Sequence, residues 1–153
     1  MKLRARAFCC LSIILVAGFN PLSAEDKANY FDDPFLQVTH GISACPVPPG
    51  PEITQAEMRA QAHVRAERGT ACYLSGRCRL PNAYQYDKEI VLRVQKAIEA
   101  DGRLAETSVW VLGQRRWVWL KGCVRNKAQS KALVHLVRHL DDVEAVIDEL
   151  VVR

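Results

Sequence analysis

The histidines His135 and His139 have the best spacing for a metal site, because residues four apart on a predicted helix share one face of it. Metalloproteases that use this spacing place a glutamate directly after the first histidine, where it serves as the general base. Leu136 follows His135 in this chain, so that base is missing. Both histidines are also predicted to lie away from the apolar side of the helix. We interpret them as solvated side chains and predict no metal site.

Other catalytic patterns are equally weak. The paired carboxylates at residues 141–142 and 148–149 fall at element ends or on strand surfaces, where turn formation and solubility explain them. The chain has no glycine-rich phosphate loop and no Gly-x-Ser-x-Gly sequence. We therefore predict that the protein is not an enzyme and binds no cofactor.

The first 24 residues have the features of an export signal. Three basic residues stand near the start, residues 8–19 form an almost unbroken apolar run, and Ala24 precedes the acidic Glu25. The run is too short to span a bilayer, which takes about 20 apolar residues. We expect cleavage after Ala24, export of the chain and no remaining transmembrane anchor. Cleavage removes the three basic residues and no acidic one, so the net charge falls from +4 to +1, which does not indicate a nucleic-acid binder.

Four cysteines remain after removal of that segment: Cys45, Cys72, Cys78 and Cys123. An even number of cysteines in an exported chain favours two disulfides, with three possible pairings. A zinc site made by four thiolates is the alternative, but no two of these cysteines have the C-x-x-C spacing that such sites usually use. The residues alone leave the pairing open.

The hydrophobic pattern from Asp87 onward predicts an α+β domain. Asp87 is a suitable N-cap, and apolar residues recur after it at helical spacing. The predicted elements are a helix over 87–101, strands over 108–112 and 116–124 joined around Gly113–Gln114, a helix over 126–140 and a strand over 143–152. This αββαβ order predicts a two-layer sandwich in which two helices cover one face of a three-stranded sheet.

The chain upstream of this domain predicts a less regular N-terminal extension. Residues 25–44 have no clear period and are interpreted as a loose leader whose aromatic rings could dock elsewhere. The prolines of residues 45–51 make a stiff, extended segment. A capping box formed by Thr54 and Glu57 begins a helix that we expect to end at Gly69. The predicted organisation is a signal peptide (1–24), a disulfide-tied helical extension (25–86) and a domain (87–153).

Several packing positions of the domain follow a known pattern. They are Asp87 at the start of the first helix, the Leu120-x-Gly122-x-Val124 signature ending the second strand, and Val143-x-x-Val146 with Leu150 in the last strand. This pattern resembles the BON domain, a small module of exported envelope proteins in Gram-negative bacteria. The family often has two copies in tandem, and we find one. The family also usually has glycine where Asp142 stands, in a left-handed conformation that aspartate adopts at some cost.

The second predicted strand carries apolar residues on both of its faces. Its valines and Leu120 are expected to face the helices, whereas Trp117, Trp119 and Cys123 share the opposite face with Trp110 of the first strand. We call this second side the tryptophan face. Three exposed indoles would form an unusually large apolar patch on a small domain. We therefore predict that residues 45–78 fold back over this face. The favoured disulfides are Cys45–Cys123 and Cys72–Cys78, although the sequence does not fix them.

The BON resemblance implies attachment to a phospholipid surface or partnership with an envelope protein. The candidate contact residues are Arg115, Arg116, Trp117, Trp119 and Lys121. Tryptophan suits a headgroup interface and arginine suits phosphate, so the expected lipid is anionic. The alternative is that the indoles are core residues and the arginines solvate a turn. A protein or cell-wall interaction module without lipid affinity is the competing functional class.

Overall fold

A computed structural model describes residues 25–153, so the predicted export signal lies outside the described residues. The strands are β1 (Lys27–Ala28), β2 (Phe35–Gln37), β3 (Ile53–Thr54), β4 (Ser108–Gln114), β5 (Trp117–Val124) and β6 (Ala145–Val152), and the helices are α1 (Gln55–Leu74), α2 (Asp87–Ala100) and α3 (Lys127–Arg138). Within residues 25–153, none of the helices has the length and apolar character needed to cross a membrane.

The main sheet has the strand order β2-β4-β5-β6. Its first two pairings are antiparallel, and β6 runs parallel to β5 because α3 carries the chain back to the same end of the sheet. Helices α2 and α3 cover one face. The core between them and the sheet includes Val109, Val118, Leu120, Val124 and Leu133, all fully buried. The predicted assignment of these valines and Leu120 to the helix side is confirmed.

The prediction of a three-stranded sheet is wrong by one strand. The extension supplies β2, which pairs with β4 in the register Leu36 opposite Val111. Leu36 and Val38 thereby extend the core on the helix side of the sheet. A second sheet of two short strands, β1 and β3, brackets the start of α1. The leader is therefore built into the fold, contrary to its interpretation as loose.

Helix α1 is longer than predicted, because it continues through Gly69 to Leu74. The capping box of Thr54 and Glu57 is present at its start. A Cβ atom at Gly69 would lie only 2.6 Å from Oδ1 of Asn82. Glycine at this position therefore allows the helix to lie close to the following chain, rather than ending the helix.

The β4–β5 hairpin turns at Arg115 and Arg116, two residues later than the predicted Gly113–Gln114. Both arginines have positive φ, at 56° and 66°, which is the signature of a tight two-residue hairpin turn. The usual residues for this turn are asparagine and glycine, so two arginines at these positions are no local sign of it. The last strand likewise begins at Ala145, since residues 141–142 form a turn after α3.

Both disulfides have the pairing that the sequence favoured. Cys45 is bonded to Cys123 and Cys72 to Cys78, with Cα–Cα distances of 5.8 Å and 5.3 Å. The first bond joins the extension to the end of β5. The second closes a short ring at the end of α1.

Candidate functional site

The strand register brings the three indoles to one side of the sheet. Trp110 lies opposite Lys121, and Trp119 lies opposite Leu112, so these four side chains share the tryptophan face. Trp110 is buried, with 6% of its surface exposed, whereas Trp117 and Trp119 are half-buried. The rings of Trp117 and Trp119 lie 6.1 Å apart and are tilted by 36°. The face is thus only partly covered.

The upstream chain covers part of this face. The Cys45–Cys123 disulfide fixes the proline-rich segment there, and Nζ of Lys121 donates a 3.0 Å hydrogen bond to the carbonyl oxygen of Pro49. An open cleft of about 300 Å³ remains between this segment and Trp119. The chain from Cys45 to the start of α1 therefore forms the predicted cover over part of the tryptophan face.

The Cys72–Cys78 ring does not lie over the tryptophans, contrary to the prediction for this part of the segment. Cys78 and Leu80 pack against the core on the helix side of the sheet. The sulfur of Cys78 also lies 2.9 Å from Nη1 of Arg116 in the hairpin turn. Helix α1 thus carries the chain past the tryptophan face to the hairpin end of the domain.

A buried ion pair holds α1 against the leader, and the sequence did not predict it. The guanidinium of Arg65 donates two hydrogen bonds to the carboxylate of Asp33, at 3.0 Å and 2.5 Å. Both side chains are almost fully covered. The guanidinium also lies 4.0 Å and 4.1 Å from the ring centroids of Phe31 and Tyr84. Gln114 at the end of β4 donates to the same carboxylate, so this cluster links the extension to the sheet.

The hairpin turn is held by Asp87 at the first position of α2. Its carboxylate accepts hydrogen bonds from the backbone N–H groups of Arg115 and Arg116, each at 2.7 Å. Asp87 is buried, and burial raises its pKa to about 6 against the lowering effect of these two hydrogen bonds. One side chain therefore joins the start of α2 to the turn between β4 and β5.

The helix pair, the β-hairpin and the parallel last strand form a unit with a recognisable signature. The family model of the BON domain matches residues 86–153, once. This part of the chain is a BON domain. No curated protein matches the chain.

The structure explains two signature positions of the BON domain. Gly122 has φ of 112°, and a Cβ atom there would lie 2.2 Å from the carbonyl oxygen of Ser108. Asp142, which replaces the usual glycine, has φ of 67° and so keeps the left-handed conformation. Its carboxylate accepts hydrogen bonds from Arg79 and Arg93, each at 3.0 Å. These bonds offset the conformational cost that aspartate has at this position.

Four of the five predicted contact residues of the BON domain lie on one side of the sheet. Arg115 places its guanidinium 4.6 Å above the ring of Trp117, and Lys121 and Trp119 follow along β5. The indole nitrogen of Trp117 is buried without an acceptor among the described residues. Lys121 is mostly covered, and Nζ lies 3.5 Å from a carboxylate oxygen of Glu149. Arg115 and the two half-buried indoles are thus the accessible members.

Arg116 does not join this group, because its side chain lies on the helix side of the hairpin. Nε donates a 2.8 Å hydrogen bond to the carbonyl oxygen of Asp142, and the guanidinium lies 5.3 Å from the ring of Tyr86. Together with its contact to Cys78, this hydrogen bond connects Arg116 to the chain on both sides of the hairpin turn, so that Arg116 has a structural role.

The two histidines of α3 lie against each other. The rings of His135 and His139 are 4.3 Å apart, and Nδ1 of His139 lies 2.7 Å from the carbonyl oxygen of His135. Within residues 25–153, no group of three histidine, cysteine or acidic side chains has the geometry to hold a metal ion.

Proposed function

We propose that this chain is a non-catalytic exported envelope protein whose BON domain binds anionic phospholipid surfaces and so supports envelope integrity. The observation that carries the proposal is the stack of Arg115 on the half-buried Trp117 at the hairpin turn. Within residues 25–153, the Arg115 side chain has no carboxylate partner, so its charge is available to a phosphate group.

The physical argument depends on the pairing of these two side chains. An indole ring is stable at the boundary between headgroups and acyl chains, because its body is apolar and its N–H can find a polar partner. An arginine beside it offers several donors to phosphate oxygens. Each basic residue near an anionic leaflet contributes about 1 kcal/mol of attraction.

The proposed location is the periplasm, reached through the signal peptide at residues 1–24. Two disulfides in a chain of this size fit an oxidising compartment. We propose residues 25–86 as an extension that anchors itself to the BON domain through Cys45, and residues 87–153 as the binding module.

Co-sedimentation with phosphatidylcholine vesicles, with and without phosphatidylglycerol, tests the proposal across a salt series. We expect binding that requires the anionic lipid and weakens with salt, because exposed charges are screened. Arg115→Ala should weaken it roughly five-fold. The matched control is Arg103→Ala, which removes an exposed arginine after the other end of α2 and should leave binding unchanged. Binding that is indifferent to lipid charge would remove the proposal.

Partnership with a protein is the second candidate, and the free edge of the sheet favours it. Strand β6 has eight residues, and within the described part of the chain no strand pairs with its outer side. Val151 and Val152 at its end are half exposed. Such an edge can accept a strand from a partner through backbone hydrogen bonds. A chain that ignores vesicles but captures an extended peptide along β6 would favour this candidate.

A further inference from the structure

The end of helix α1 exposes two large apolar side chains next to each other. Leu74 has 79% of its surface exposed, the highest value among the large apolar residues of the described chain, and Tyr73 has 48% exposed. Both follow Cys72, which is buried. We call residues 73–77 the α1 tip.

The α1 tip is held in a defined shape. The Cys72–Cys78 bond closes it into a small ring, and Ser75 ends the helix with a hydrogen bond from its backbone N–H to the carbonyl oxygen of Ala71. Gly76 has φ of 71°, which reverses the chain at little conformational cost. Because the ring is already ordered, exposure of Tyr73 and Leu74 is a property of the folded protein and not of a loose loop.

The segment that contains the α1 tip is rich in arginine. No acidic residue occurs between Glu67 and Asp87, whereas Arg68, Arg77 and Arg79 all fall in this interval. The Arg77 side chain is 65% exposed, and its nearest carboxylate oxygen, on Glu144, is 4.0 Å away. Arg77 is therefore the exposed cation nearest in the sequence to Tyr73 and Leu74, with only a long contact to a carboxylate.

The α1 tip and the hairpin turn lie at the same end of the domain. The sulfur of Cys78, which closes the tip, is 2.9 Å from the guanidinium of Arg116 in the turn. Arg79 bonds to Asp142, which precedes β6 at that end of the sheet. The tip therefore adds an apolar contact to the end of the molecule that already carries Arg115.

We propose that the α1 tip is a second membrane contact, in which Leu74 enters the headgroup layer of an anionic phospholipid surface while Arg77 binds lipid phosphate. The inference rests on the proposed function, since it names a further part of the chain that meets the same surface. Tyr73 suits the boundary of that layer, as an aromatic ring with a polar end. An exposed leucine alone would contact any apolar surface, and the surrounding arginines select one that is negatively charged.

The test measures partition of the exported, oxidised chain onto phosphatidylcholine vesicles containing phosphatidylglycerol. We expect Leu74→Ala to weaken binding roughly ten-fold, because it removes most of the inserted apolar surface. Arg77→Ala should weaken it roughly five-fold. Leu74→Phe keeps an apolar side chain and should bind like the parent. Unchanged thermal unfolding midpoints show that the variants are folded, as expected for substitutions at exposed positions.

The matched control is Leu92→Ala on α2, which makes the same change at another exposed leucine. It should retain the binding of the parent. If the parent binds and Leu74→Ala binds equally well, the α1 tip is not a contact and the proposed function still stands. A loss confined to Leu92→Ala would likewise overturn the inference and assign the contact to α2. If the parent itself ignores anionic vesicles, the proposed function fails first.

Discussion

The carboxylate of Asp87 accepts the backbone N–H of Arg116 at 2.7 Å, and by this bond the first residue of α2 holds the hairpin turn of the sheet. The turn needs such support, because Arg115 and Arg116 both have left-handed backbone conformations that arginine rarely adopts. A second bond, to the N–H of Arg115, uses the other carboxylate oxygen. Asp87 thus has a structural role, which accounts for its place in the packing pattern of the domain.

We predict that the stability contributed by Asp87 falls as pH rises. Its folded-state pKa is about 6, above the ordinary value of 3.8, because burial penalises the charged form. Between these values the folded state binds more protons than the unfolded state, so deprotonation destabilises the fold. The free energy of unfolding should fall by about 3 kcal/mol in total. This loss is absent below the unfolded-state pKa and complete above the folded-state pKa.

Urea unfolding of the parent and of Asp87→Asn from about pH 3 to about pH 7 checks this prediction, because this range spans the unfolded-state pKa of 3.8 and the folded-state pKa of about 6. Asparagine keeps an acceptor oxygen but does not titrate. The free energy of unfolding of the parent should decline relative to the variant across this interval. A difference that is constant with pH would contradict the raised pKa.

The two disulfides should contribute unequally to stability. The Cys45–Cys123 bond spans 78 residues, so the double variant Cys45→Ser/Cys123→Ser should lose about 4 kcal/mol of unfolding free energy. The bond from Cys72 to Cys78 spans only 6 residues, and its double serine variant should lose about 2 kcal/mol. Chemical denaturation measures both, with limited proteolysis of the proline-rich segment as the second readout. Only the first variant should become cleavable there, and equal cleavage of both would argue against Cys45 as the anchor of the extension.

Arg65→Ala should destabilise the chain by about 3 kcal/mol, since it leaves the buried carboxylate of Asp33 without its ion-pair partner. Arg65→Lys should have an unfolding free energy between those of the parent and Arg65→Ala. Lysine keeps the charge but lacks the planar guanidinium that lies between Phe31 and Tyr84. The exposed Arg68 on the same helix is the control, and Arg68→Ala should change the unfolding free energy by less than about 0.5 kcal/mol. Amide hydrogen exchange should show faster opening of α1 in the first variant alone. Similar exchange in Arg65→Ala and Arg68→Ala would mean that the ion pair does not hold the helix.

Gly122→Ala should lower the free energy of unfolding by more than about 2 kcal/mol. Alanine is strained at positive φ, and its Cβ would clash with the carbonyl oxygen of Ser108. Gly102→Ala is the matched control. A Cβ atom at Gly102 would have no neighbour within 4 Å. Thermal unfolding of the two variants should differ clearly, and equal midpoints would show that the glycine of the signature is not required by the backbone.

The part of this fold that can be predicted from the sequence is the part in which the hydrophobic period alone determines the face on which each side chain lies. Alternation along β5 assigned Val118 and Leu120 to the helix side and the indoles to the other, because a fixed period of two governs every strand. The same alternation placed Cys123 on the face that needed cover, which favoured its pairing with an upstream cysteine without fixing Cys45 as the partner. The candidate residues on this face are therefore brought together as the alternation predicts.

The remaining features depend on contacts between distant segments. Strand β2 has only three residues, too few to show a period, and exists because β4 offers it a free edge. Arg65 looks like Arg59 and Arg68 in the sequence, and only the folded chain brings Asp33 and Tyr84 to it. The side on which Arg116 points was equally hidden, because it depends on a left-handed turn with no glycine.

The two sulfur bridges are nested, with the pair Cys72–Cys78 enclosed between Cys45 and Cys123. A chain that crosses a membrane amino end first presents Cys45, Cys72 and Cys78 to the oxidising side well before Cys123 emerges. Oxidation in order of arrival would join Cys45 to Cys72. Cys78 and Cys123 would then remain without their native partners. If the chain is exported as proposed, its correct maturation requires either that Cys45 stay reduced until Cys123 has emerged or that a thiol–disulfide isomerase rearrange the early product.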